Sequence, residues 1–452
     1  MNIAPSQLLS AALDYAYSHG IIKYNLQHRL THIPFILNPL KINRADMEWM
    51  IELTPIFNQL LIHIIQDHDF LKYHLSPLAS ADPFIELLLS MLQEEDTQPC
   101  HLIIQRNDFF LTRDPVNQRN IPKQVEINPM AAGFLTMSER VNKMHQYLYG
   151  HDLIGNNLLL TAPVQCAAEN IDLAFNKHYH MPEACLLMIV QPNERNIFDQ
   201  RGLEYRLLEQ YGIFTLRMTM DEVGQTGKIR EGHLWVQNKI AAITYFRAGY
   251  TPDDFLSQAS IDGRILIEKS STIKIPDIPT LLAGTKKIQQ VLTKPEILRK
   301  FLREEPAAKL MEVFVGIFEL NESLGDHSAE ELAMKTPQKY VLKPQREGGG
   351  NNIYGINIAE SLRQMSNTEK QAFILMERIQ PLSHESSMVI EHQAEAQECV
   401  SEIGRYGVCL SEHNRIIRNE DAGYLVRTKS IEHDEGGVSA GYAGLNSLYF
   451  EE

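Results

Sequence analysis

The chain has 452 residues, 44% hydrophobic and 22% charged, a globular composition spread over more length than one ordinary core fills. Its formal charge of −15 argues against nucleic acid or an anionic membrane as the main partner, since both reward basic surfaces. A small anionic ligand held by a local cluster of lysine and arginine stays open.

The first hundred residues predict helices over 8–17, 50–65 and 84–92, where apolar residues recur every three or four positions, and the acidic turn Glu94, Glu95, Asp96 ends that stretch. Strand-like runs follow at 101–105 and 124–128; in the second, period-2 geometry sets Glu126 and Asn128 on one face. Residues 182–285 read as a separate α/β unit. It has a buried strand at 186–190, an amphipathic helix at 198–211 stopped by Gly212, and strands at 213–218 and 241–246, the pattern of a βαβ crossover. Helices are expected at 286–292 and 307–320, then strands at 340–342, 373–377, 399–403, 406–410 and 424–428. The Gly/Ala/Ser-rich stretch 432–444 reads as a loop of the kind that folds over a ligand. The five cysteines (Cys100, Cys166, Cys185, Cys399, Cys409) show no zinc spacing and read as reduced thiols. The start of the chain has no signal-peptide pattern, and no apolar run nears the roughly 18 residues of a spanning helix, so a cytoplasmic protein is expected.

The run Lys343-Pro-Gln-Arg-Glu-Gly-Gly-Gly-Asn-Asn-Ile-Tyr-Gly355 says most about chemistry. Each glycine loses roughly 0.5–1 kcal/mol relative to alanine on ordering. Three together suit a loop whose bare N–H groups approach an anion such as phosphate. Lys343 adds a fixed positive charge and Glu347 an oxygen ligand for Mg²⁺. Glu126 and Asn128 also suit a hard cation, although polar alternation on an exposed strand is the commoner origin of such a pair. Lys286, opening a helix after Gly284 and Thr285, is either solvated or a phosphate contact. Arg106, Arg247 and Arg427 end or follow strand-like runs and together point to an anionic substrate. The strand at 373–379 is core by default, and in a nucleotide site Met376 and Ile379 would cover a base. The run from Gly224 to Lys228 lacks the spacing of a phosphate loop.

These residues resemble the eukaryotic-type glutathione synthetases of the ATP-grasp group. The likeness is carried by 343–355 almost residue for residue, and by 124–128, 194–200, 245–250, 282–290, 375–379, 401–404 and 426–441. It implies a mixed α/β ATP-grasp architecture: antiparallel-sheet nucleotide lobes, a helical N-terminal region, and an inserted parallel α/β substrate domain at 182–285 between 1–181 and 286–452. It implies a homodimeric cytosolic ligase joining γ-glutamylcysteine to glycine as ATP becomes ADP and phosphate.

By motif position, Glu126, Asn128 and Glu347 would hold Mg²⁺. Lys286, Lys343, Gln345, Arg346 and the backbone of Gly348, Gly349, Gly350, Asn351 and Asn352 would grip phosphates, with Tyr354, Lys429 and Glu435 nearby. Met376, Glu377, Arg378, Ile379 and Glu402 would hold adenosine. Glu194, Arg195, Asn196, Gln200, Arg247 and Tyr250 would bind γ-glutamylcysteine, and Arg106, Arg427, Val438 and Ser439 would lie at the glycine end. Arg427, Lys286, Lys343, Gly348 and Gly349 would act in catalysis itself.

Some positions depart from that pattern. Ala131 and Gly133 stand where the family has two serines, Ala248 where it has an acidic residue, Glu435 for aspartate and Ser439 for alanine. The changes bear on the acceptor, so ligation to β-alanine or serine is a rival reading. A non-catalytic nucleotide-binding paralogue is another.

Overall fold

The computed structural model of the chain describes residues 5–150, 156–345, 351–413, 415–434, 436–438 and 441–451. Among these residues three larger sheets, of seven, six and four strands, carry the architecture. The seven-stranded sheet runs Ser383–Ile390, Phe35–Ile36, Ala443–Asn446, Arg415–Ser430, Gln393–Glu412, His101–Arg113, Asn120–Asn128. Along Gln393–Glu412, Tyr406, Val408 and Leu410 enter one hydrophobic cluster while Ile403 and Cys409 enter another. Such alternation is what a strand covered on both faces requires. The helix Arg44–Ile65 joins the second of these clusters through Met47, Met50, Leu53, Phe57, Leu60, Leu61 and Ile64, a stripe at three- and four-residue spacing. Each such side chain contributes roughly 1.5–3 kcal/mol by leaving water.

The six-stranded sheet lies within the stretch read as an α/β unit. Ala184–Ile189 pairs in parallel with both Thr215–Met218 and Lys239–Phe246, and the helix Ile197–Tyr211 makes the crossover to the first. That helix ends at Gly212, whose φ of +69° lets its N–H reach the Leu208 carbonyl at 3.0 Å. The four-stranded sheet is antiparallel throughout, in the order Ile317–Phe318, Phe373–Glu377, Tyr340–Pro344, Ile353–Tyr354, over a small core of Leu342, Leu375, Ile358 and Leu362. The unit expected to be parallel is so in four strands, while Lys228–Arg230 and His233–Val236 add to Lys239–Phe246 as an antiparallel edge; with the antiparallel lobes it makes the mixed α/β class that was expected. No helix among the described residues is long and apolar enough to cross a membrane.

Several element readings change. The helix expected over 307–320 is Glu304–Val313, and the chain then enters the strand Ile317–Phe318. The run Phe314-Val-Gly-Ile-Phe318 is aromatic and β-branched around a glycine, and Gly316 hydrogen-bonds Glu377 instead of continuing a helix. The runs 399–403 and 406–410 form one strand, Gln393–Glu412, because Gly404 sits mid-ladder opposite Asp108 and does not break it. The N-terminal region is not helical throughout: the short strands Ile22–Tyr24, Leu30–His32, Phe35–Ile36 and Leu40–Ile42 follow its first helix. The helices Leu135–Tyr149, Pro163–His178 and Gln258–Lys269 are additions to the sequence reading.

Candidate active site

The last two strands of the seven-stranded sheet bring the first cluster together. In their antiparallel register Arg106 lies opposite Asn128 and Asp108 opposite Glu126, with an irregularity just beyond Asp108. Asp108 is fully buried. Its Oδ1 accepts from Arg106 Nε at 2.6 Å, and its Oδ2 from Arg106 Nη2 at 2.8 Å, Asn128 Nδ2 at 2.9 Å and Arg427 Nη2 at 2.9 Å. Arg427 also pairs with Glu402, its direct partner on the neighbouring strand. Burial works against both arginines, yet the carboxylates around them outweigh it and hold each guanidinium more firmly charged than usual. Burial raises the Glu402 carboxyl, with Asp108 and Glu126 adding to that effect and Arg427 opposing it.

Lys286 and Lys343 approach the same strand from two other segments. Lys286 Nζ is 3.0 Å from Glu126 Oε2, and Lys343 Nζ donates to the Val125 carbonyl at 3.3 Å. Both lysines are buried while Glu126 is half-buried. Burial pushes the Glu126 carboxyl up, but Lys286, Lys343 and Arg427 outweigh it and leave the group below the ordinary carboxylate range. Lys286 opens the helix Lys286–Leu292, and Gln345 accepts the Lys287 N–H at 2.8 Å, tying that helix start to the strand carrying Lys343. Asn352 donates to the Tyr354 hydroxyl at 3.3 Å, and Asn351 is exposed. Arg346, Glu347, Gly348, Gly349, Gly350, Glu435 and Ser439 lie outside the described residues.

A cavity of about 320 Å³ opens between the four-stranded sheet and the larger one, walled by Val125, Lys343, Tyr354, Met376, Ile379 and Lys429. Glu377 and Arg378 also line it. Glu377 accepts the Gly316 N–H at 2.9 Å, Arg378 Nη2 reaches Asp434 at 2.8 Å, and Lys429 donates to the Asp434 carbonyl. Glu402 is not part of this wall; it stays with the arginines.

The remaining expected residues form a neighbouring group. Glu194 accepts the Asn196 N–H at 2.8 Å and Gln200 Nε2 at 2.6 Å, and Gln200 takes Arg217 Nη2 at 2.8 Å. The Tyr250 N–H reaches Asp254 at 3.1 Å, and the Arg195 carbonyl accepts from the Tyr24 N–H at 3.1 Å. Arg247 is buried, and its Nε has no hydrogen-bond partner among the described residues. A Cβ at Gly133 would lie 3.3 Å from Arg247 Nη2, so the bare glycine leaves room for this guanidinium. Tyr406 donates to the Gly133 carbonyl at 2.6 Å, joining this group to the main sheet. Val438 is buried, and its carbonyl accepts from Lys23 Nζ at 3.1 Å.

The model of the eukaryotic glutathione synthase ATP-binding domain matches residues 4–450. The chain belongs to the eukaryotic glutathione synthase family. The glutathione synthetase of Dictyostelium discoideum is 35% identical, with 99% of each chain covered. That of Homo sapiens is 34% identical over 98% of this chain and 96% of its own. The chloroplastic glutathione synthetase of Solanum lycopersicum is 36% identical over 93% and 78%. A solved glutathione synthetase-like effector from Globodera pallida, 20% identical, shares the fold with a TM-score of 0.80 over 100% of this chain and 98% of its own.

Two buried carboxylates escaped the sequence reading. Asp199 is buried and accepts from the N–H groups of Phe134, Thr136 and Met137 at 2.7–3.2 Å, anchoring the start of the helix Leu135–Tyr149 beside Arg247. Asp108 was the other. Its only local signal is that Arg106 and Asp108 share a strand face at i, i+2, and its remaining partners come from distant segments.

Proposed function

We propose that the chain is a glutathione synthetase, an ATP-dependent ligase that joins γ-glutamylcysteine to glycine. The observation that carries this reading is the convergence of Lys286, Lys343, Arg106 and Arg427 on the strand bearing Glu126 and Asn128, with Lys343 and Val125 of that strand also walling a nucleotide-sized cleft. A carboxylate is a poor electrophile. Transfer of the γ-phosphoryl group of ATP to the cysteinyl carboxylate gives an acyl phosphate and ADP. Attack by the glycine amine then forms the amide, expels phosphate and releases a proton. Both steps gather negative charge at one point, so positioning and fixed cations dominate catalysis.

Lys286 and Lys343 would neutralise phosphate oxygens, Met376 and Ile379 would cover the base, and Arg106 and Arg427 would face the reacting carboxylate. Arg247, whose buried Nε has no acceptor among the described residues, would take a carboxylate of the dipeptide. Glu126 and Asn128 fit Mg²⁺, a hard cation that takes oxygen ligands. Asn128 gives its Nδ2 to Asp108, so its amide oxygen is left as the donor atom. Glu347 would complete the set; bound Mg²⁺ would offset the charge of the triphosphate.

The further proposals are a homodimer, a cytoplasmic location, and residues 182–285 as a substrate-binding insert between 1–181 and 286–452. Size-exclusion chromatography, cell fractionation and limited proteolysis test them. Measuring ADP release with γ-glutamylcysteine and each amino acid tests the activity. Glycine-dependent turnover is expected. Turnover only with β-alanine or serine would reassign the acceptor, and none with any acceptor would overturn the ligase reading.

A further inference from the structure

We propose that Asp108 is a positioning residue that aims both guanidiniums of the ligase site, and that Gly404 is present to leave it room. The inference rests on the ligase reading above. A carboxylate offers about four lone-pair sites on its two oxygens. Among the described residues, four N–H bonds reach Asp108: one on Oδ1 from Arg106, and three crowded on Oδ2 from Arg106, Asn128 and Arg427. All four lie between 2.6 and 2.9 Å, the length of well-formed charge-assisted bonds. With Oδ2 crowded by three donors and the whole side chain at 0% exposure, Asp108 presents no oxygen to solvent or substrate. Its effect must pass through the groups it holds.

Arg106 is gripped through Nε and Nη2 in a fork, which sets the plane of its guanidinium and leaves Nη1 uncommitted to Asp108. Arg427 reaches the same Oδ2 from the neighbouring part of the sheet, so one oxygen registers two arginines that lie 321 positions apart in sequence. Holding Asn128 by its nitrogen also decides which way that amide faces.

Gly404 is the direct cross-strand partner of Asp108. A Cβ there would fall 2.6 Å from Arg106 Cδ and 2.7 Å from Asp108 Oδ1, closer than side-chain atoms come. An alanine would displace the pair without removing any charge. Asp108→Asn does the reverse: it keeps the size but sets an NH₂ group against guanidinium N–H groups.

The test uses the full chain with ATP, γ-glutamylcysteine and glycine. It measures kcat, each KM, ATP affinity by calorimetry, and Tm for D108N and G404A. We expect kcat to fall about 100-fold in D108N and about tenfold in G404A, in the range for loss of an aimed donor. The Kd for ATP measured without Mg²⁺ should change by less than about threefold, since the lysines and the base-covering strand are untouched and Asn128 then has no cation to hold. If D108N does not fold, G404A decides alone. Wild-type kcat in the folded variants would overturn the inference, as would ATP and dipeptide affinities that fall in step with kcat. Absence of turnover in the unmodified protein would instead sink the ligase reading, so the two failures are distinguishable.

Discussion

Removing His101 should flatten the alkaline side of the stability profile. The ring bridges two carboxylates, with Nε2 2.7 Å from Asp96 and Nδ1 2.9 Å from Asp277. Burial disfavours the imidazolium, but Asp277 and Asp96 outweigh it and push the group from 6.5 up to about 10. A group with a higher pKa folded than unfolded gives its full stabilisation below about 6.5, and this is lost as the pH climbs toward 10. At about 1.36 kcal/mol per pH unit, the loss between pH 6.5 and 9 is at most about 3 kcal/mol. Asp96 is 49% exposed, so screening on that side brings the expected value nearer 2 kcal/mol. Urea unfolding of the parent and of His101→Gln at pH 6.5 and pH 9 measures it as a difference of differences. Lys274, Glu268 and Arg264 lie in the same buried network and remain in both proteins, so their titration largely cancels. Equal pH dependence in the two proteins would refute the reasoning.

Three further outcomes are expected. Glu126→Gln should lower kcat about 100-fold with a small change in Tm, because a half-buried carboxylate that faces lysines serves the ligand more than the fold; comparable loss of both speaks against its role. Arg427→Ala should cut kcat with ATP affinity changing much less, measured by steady-state kinetics beside calorimetry. Gly133→Ser should raise the KM for γ-glutamylcysteine several-fold at nearly constant kcat, since its Cβ would crowd Arg247 Nη2 at 3.3 Å; an unchanged KM places the dipeptide elsewhere.

Much of the candidate site was legible one segment at a time. Lys343 and the three glycines stand out because their composition is costly and rarely incidental, and Glu126 and Asn128 because strand geometry sets them on one face. The family likeness then joined these segments in order. The element errors have local causes: 314–318 carries helix-length hydrophobicity but a β-branched, glycine-centred interior, and Gly404 looks like a break until its neighbour across the ladder is known.

Local pattern therefore pointed to an α/β unit, an anionic ligand and several of the charged groups, and the family likeness supplied the class of fold and the rest of the site. Tertiary structure decided which of those groups share a bond. Asp108 has one partner two residues away and another on a strand that returns after more than three hundred, a pairing that no local period encodes. Glu402 sits with Arg427 and not on the cavity wall for the same reason: cross-strand register, set by the whole sheet, chooses the neighbours of a buried charge.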